Sequence, residues 1–81
     1  MGIEEEILIQ IGENIRTLRV EQKMSQETLA EHAGMHRTFI GGIERGERNT
    51  SIRTLVKIAI ALHVKLEDLI KIECGRDKKE Q

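Results

Sequence analysis

The side chains best suited to chemistry in this chain are its histidines, acids and arginines, and their arrangement favours recognition over reaction. His32, His36 and His63 are scattered, with no HExxH pattern and no Cys/His cluster of the kind that holds a metal. His32 and His36 stand four apart, but Gly34 between them interrupts the helix that would pair their rings. Glu4, Glu5 and Glu6 suit a helix start, where negative charge meets the positive end of the macrodipole, better than an acid–base pair. Gly41-Gly42 lies inside a helical pattern and lacks the lysine and serine or threonine of a phosphate loop. The chain reads as a non-enzyme with no catalytic residue, metal ligand or cofactor.

The arginines are arranged differently. Between Met35 and Arg53, Arg37, Arg45, Arg48 and Arg53 face only Glu44 and Glu47, a local net charge of +2. The whole chain, with 13 Lys and Arg against 14 Asp and Glu, carries −1. Overall charge therefore counts against a nucleic-acid partner, while the segment counts for one, since binding needs a local patch more than a high pI. An arginine fork can bond two acceptors of guanine at once, and threonine offers a hydroxyl and a methyl suited to thymine or phosphate.

Such residues need elements to hold them. Ser25 to Ile43, SQETLAEHAGMHRTFIGGI, reads as two short helices joined by a tight turn at Gly34. Leu29 and Ala30 lie on the inner face of the first; Met35 enters the second, on which Ile40 and Ile43 face inward. Glycine reaches the positive-φ region that the turn requires. The second of these helices is expected from about His36 to Arg45, ended by Gly46. His36, Arg37, Thr38, Gly41 and Gly42 are then left on its more exposed side, with Arg37 and Thr38 in its first turn. Each glycine there costs about 0.8–1 kcal/mol relative to alanine. Two readings stand: close approach to a DNA backbone or groove floor, and simple tolerance of a weak helix. Phe39, the sole aromatic, is expected to pack beside the helix, because stacking platforms use several rings.

Around this pair, Ile7, Ile11, Ile15 and Leu18 form the stripe of a first helix ending near Lys23. Ile3, Leu8 and Ile9 either cover a neighbouring chain or belong to a loosely packed end. Ser25 and Ser51 are placed as N-caps, and Gln26 follows in a first turn. Arg48 and Asn49, in the polar segment ERNTS, reach phosphates or a groove edge, or form a solvated loop. Ile52, Leu55, Ile58 or Ala59, and Leu62 give the buried face of a fourth helix. Leu66 to Ile72 is a last short helix with Leu66, Leu69 and Ile70 as its apolar set, a plausible two-fold dimer contact because one small core cannot absorb every apolar residue there. Gly75 to Gln81 is a charged tail without periodicity.

At 81 residues, 38% hydrophobic and 33% charged, the chain is sized for one small all-α domain of five helices, spanning 1–81 with a core of about 7–72 and a tail over 73–81. No apolar run approaches the roughly 18 residues of a membrane span. The acidic N-terminus MGIEEE is unlike a secretory signal, and Cys74, the lone cysteine, allows no internal disulfide; a reducing cytoplasm fits.

The spacing of Ala30, Gly34, Ile40 and Ile43 resembles the helix-turn-helix of the phage repressor and Cro superfamily, over roughly Ile11 to Ile70, and HRTFIGGIERGERN resembles the controller proteins of restriction–modification systems. The resemblance implies a helix-turn-helix domain that binds double-stranded operator DNA as a homodimer on a roughly palindromic site, switching an endonuclease gene and its own. It implies a phosphate contact from Gln26 and an internal ion pair of Arg19 with Glu44; with the residues read above, the expected DNA contacts are Gln26, His36, Arg37, Thr38, Gly42, Arg45, Arg48 and Asn49, and the expected dimer contact is through Leu66, Leu69 and Ile70. It also admits contact with RNA polymerase, and implies no membrane and no small-molecule substrate. Two departures are visible: Gly41 stands where the controllers often carry serine, and Thr50 where many relatives carry proline. The alternatives are a phage-type repressor or antitoxin-like autoregulator, and a helix-turn-helix module used only for protein contact; three arginines around the tip of one helix argue against the last.

Overall fold

The computed structural model describes residues 2–72. The tail expected over 73–81, with Cys74, lies outside the described residues. Five helices follow in order: α1 (Ile3–Glu21), α2 (Gln26–Ala33), α3 (Arg37–Glu44), α4 (Ile52–Leu62) and α5 (Leu66–Leu69). No helix among the described residues is long and apolar enough to cross a membrane.

Helix α1 holds the others in place. Ile11 and Ile15 are buried, with Ile7 and Leu18 packed at the margin of the core, as the stripe predicts. Between them Gly12 lets two backbones touch: a Cβ there would overlap the carbonyl oxygens of Ile43 and Glu44 at the end of α3. Farther up, Ile9 lies against Gly46, while Ile3 stays exposed. Two amides extend the hold of α1 to the C-terminal part of the chain. Asn14 Nδ2 donates to the carbonyls of Leu69 and Lys71, both at 2.9 Å, and Gln22 Nε2 donates to Leu62 at 2.7 Å. Of these, the Leu62 and Leu69 carbonyls are ones that helix ends leave without intrahelical partners.

The α2–α3 pair is set by local signals. Ser25 caps α2 by accepting from the Thr28 N–H, and Gly34 ends it at φ +71°, with the Met35 N–H donating to Ala30 at 2.8 Å. Met35 belongs to the turn rather than to α3, because His36 is the N-cap. Leu29, Ala30 and Ala33 of α2 meet Ile40 and Ile43 of α3 in the core, which Leu55, Ile58, Ala59, Ala61 and Leu62 of α4 complete.

Two expectations about the C-terminal half are corrected. Helix α4 carries apolar residues on a second side besides its buried one: Ile52, expected inside, faces outward at 62% exposure with Val56 at 37% and Ile60 at 68%, and residues four apart make this a second stripe. Leu69 is fully buried in the protomer's own core, so it is not available as a dimer contact. Leu66 packs partly against that core, and of the three only Ile70 is exposed. The reason is the Asn14 tie, which draws the end of α5 onto α1 and turns Leu69 inward.

Candidate nucleic-acid interface

Helix α3 carries its exposed donors at its N-terminal end. His36 Nδ1 accepts from the Thr38 N–H at 3.4 Å and lies within hydrogen-bond reach of the Thr38 hydroxyl. The imidazole thus folds back over the first turn of α3 as its N-cap. Arg37, in the first turn, is exposed and makes no hydrogen bond or ion pair among the described residues. With His36 it borders a shallow hollow of about 250 Å³, closed on the α2 side by Glu27, Ala30 and Glu31.

Gly41 and Gly42 are buried, contrary to the exposed placement expected of them. A Cβ on Gly42 would stand 2.9 Å from Cγ of Arg48, and one on Gly41 would stand 3.3 Å from Nη1 of Arg45 and 3.4 Å from Oε1 of Gln26. Both glycines thus make room for side chains of this same protein that fold back over α3. Gly42 is covered by the Arg48 side chain, and close approach of DNA is not needed to explain either glycine. Phe39 packs partly against the core and supports the Arg48 guanidinium on its face.

Behind this surface lies a buried ion pair. Arg19 Nε donates to Glu44 Oε2 at 2.7 Å and Nη2 to Oε1 at 3.0 Å, a bidentate geometry, while Nη1 donates to the Met24 carbonyl at 2.8 Å. The same Glu44 Oε1 accepts from Gln26 Nε2 at 2.9 Å. Gln26, half-buried in the first turn of α2, is therefore anchored from within rather than free in solvent. Arg45 pairs with Glu47 at 3.1 Å, both side chains 61% exposed; such a pair contributes little and is open to exchange for another anion. Asn49, also exposed, borders a second hollow of about 400 Å³ with Glu4, Ile7 and Leu8 of α1.

The structure thus gathers His36, Arg37 and Thr38 at one end of α3, and Gln26, Gly41 and Arg45 along it, with Arg48 laid over Gly42 and Phe39. Asn49 stands against α1. Sequence reasoning missed Gly12, Asn14 and the Gln26–Glu44 bond. Only Gly12 had a visible signal, a glycine set inside an apolar helical stripe.

Comparison with known proteins places this geometry. The helix-turn-helix family matches residues 15–69, from the middle of α1 to the end of α5. The control protein C.SmaI of Serratia marcescens is 45% identical over 60 residues, which cover 74% of this chain and 71% of that protein. The crystal structure of the restriction–modification controller protein C.AhdI from Aeromonas hydrophila is 42% identical and superposes with a TM-score of 0.76, covering 76% of this chain and 94% of the other. The controller C.Esp1396I, solved bound to a 25 base pair operator site, is 39% identical with a TM-score of 0.72, covering 80% and 91%.

Proposed function

Because this chain belongs to the helix-turn-helix family, together with restriction–modification controller proteins, we propose that it is a sequence-specific DNA-binding transcriptional regulator, a controller protein of a restriction–modification system, acting as a homodimer on a two-fold symmetric operator. Members of this family are regulators and not enzymes. The observation that carries the reading is the exposed, unpaired Arg37 beside His36 and Thr38 in the first turn of an α3 backed rigidly by α2, at the position from which a recognition helix meets base edges in the major groove. Arg37 reads a guanine edge, Thr38 and His36 supply further donors, and Gln26, Arg45, Arg48 and Asn49 serve the phosphates that fix register. The relative C.Esp1396I is held on an operator duplex, which supports the same assignment here.

Homodimerisation is supported by the outward stripe Ile52, Val56 and Ile60 on α4, with exposed Ile70 as a fourth apolar residue. A monomer gains nothing by exposing three large β-branched residues in register, whereas a second copy would cover them. Two recognition helices then fall about 34 Å apart, one turn of B-DNA. The regulator works where the DNA is, in the cytoplasm, and an activating form of it meets RNA polymerase beside the operator.

Selection of bound duplexes from a randomised pool, followed by sedimentation of the free protein and of the complex, tests the proposal. An enriched palindrome bound by two protomers is expected. A pool that shows no enrichment at low salt overturns the reading.

A further inference from the structure

Two hydrogen bonds tie the buried Arg19–Glu44 pair to its surroundings: Arg19 donates to the Met24 carbonyl, and Glu44 accepts from Gln26, a residue of the proposed DNA surface. A carboxylate can only accept, so the amide nitrogen of Gln26, and not its oxygen, must face Glu44 Oε1. This fixes the sense of the amide. Its oxygen lies beside Gly41, and the second hydrogen on the same nitrogen makes no bond among the described residues. Glu44 itself is held by two bonds from Arg19, whose third donor is fixed by the Met24 carbonyl ahead of α2. Three residues from α1, α2 and α3 thus form one connected chain that ends in a neutral donor at the first turn of α2.

We propose that Glu44, carried by the recognition helix but buried, is a positioning residue for DNA binding: it holds the Gln26 amide so that its remaining N–H is aimed at a backbone phosphate before the duplex arrives. The inference rests on the DNA-binding function proposed for this surface and deepens it. A free glutamine would lose side-chain freedom on docking, a cost of about 0.5–1.5 kcal/mol for a flexible side chain. Held in advance by Glu44, Gln26 avoids most of that loss. An amide also neutralises no phosphate, so its contact changes affinity without releasing a counterion.

Glu44→Ala alone would strand a buried guanidinium and can unfold the domain. The test therefore replaces both partners, Arg19→Met with Glu44→Leu, an apolar exchange that preserves packing, and compares it with Gln26→Ala and with the triple variant. The probe is a duplex recovered by selection from the randomised pool, and thermal melting confirms that each variant is folded. Gln26→Ala and the apolar exchange are each expected to weaken binding about two- to thirteenfold, the range given by that ordering cost. The salt dependence should stay unchanged in both, and the triple variant should be no weaker than the exchange alone. Independent, multiplying losses would show that Glu44 does not act through Gln26 and would overturn the proposal. In the wild-type protein, without DNA, the Gln26 side-chain amide should relax as a rigid group by ¹⁵N NMR; a freely rotating amide overturns the proposal whether or not the exchanged variant folds. If the wild-type protein enriches no duplex, DNA binding itself fails and the role of Glu44 falls with it; if it enriches a duplex that Gln26→Ala binds as well, only the role of Glu44 is overturned.

Discussion

Arg48 holds its guanidinium carbon 5.3 Å from the centre of the Phe39 ring, the only aromatic ring in the chain, with its aliphatic stem lying across Gly42. An exposed cation is thereby kept on α3 instead of swinging with its loop. Arg48→Ala should weaken binding to all duplexes alike and reduce the slope of log K against log salt by about one unit for each phosphate that Arg48 neutralises. Phe39→Leu, which keeps apolar bulk but removes the π face, should weaken binding less and leave the slope intact. Titrations at several salt concentrations check both, and a change of base preference in Arg48→Ala would mean that Arg48 reads sequence.

Arg37 is assigned the opposite kind of contact. Arg37→Ala should cost about 1–3 kcal/mol on the best operator and relax preference at one base pair of each half-site. Single-base variants of the operator measure this, and an equal loss on all of them would reassign Arg37 to the backbone.

The glycines should differ in cost for distinct reasons. Gly34, at φ +71°, has open space around it, so Gly34→Ala should destabilise by about 1–2 kcal/mol through backbone strain alone. Gly12→Ala should cost about 3 kcal/mol or more, because the added methyl meets two backbone carbonyls that cannot move without parting α1 from α3. Urea denaturation ranks them; equal costs would show that the α1–α3 crossing yields more easily than the geometry implies.

Leu69 and Ile60 separate core from interface. Leu69→Ala should lower stability by about 2–5 kcal/mol, whereas Ile60→Asp should leave melting of the protomer nearly unchanged and shift sedimentation to the monomer. A dimer that survives Ile60→Asp would place the contact elsewhere.

The Thr50 hydroxyl oxygen is buried with no hydrogen-bond partner among the described residues. Leaving such a group unpaired costs about 1–3 kcal/mol, so Thr50→Val, of equal shape, should raise the melting temperature. A lower midpoint would reveal a partner for the hydroxyl.

Much of this fold was legible because its signals are local. The stripe of α1, the serine caps of α2 and α4, and the glycine after α2 each act within a few residues, and each stands where periodicity put it. What stayed hidden depends on pairs far apart in the chain. Helix α4 has two apolar stripes, and nothing inside its own sequence says which one turns inward; the choice is made by α2 and α5. Gly42 could not be separated from an exposed glycine without knowing that Arg48 folds back over it. The order of donors along α3 was readable, but the bond that anchors Gln26 to Glu44 was not, because helical spacing carries no trace of an amide meeting a buried carboxylate eighteen residues away.

The reach of Asn14 has a kinetic consequence. Its amide bonds carbonyls 55 and 57 residues further along the chain, so that closure spans nearly the whole described protein and bears the loop entropy of its length. Contacts of α2 with α3 and α4 are far more local and should form first, a sequence of events that pulsed hydrogen exchange can time. On the ribosome, α1 emerges earliest and can meet α3 through Gly12 and the Arg19–Glu44 pair, but its tie to the C-terminal part waits until Leu69 and Lys71 have been made. A chain interrupted before them leaves the earliest helix held from one side only.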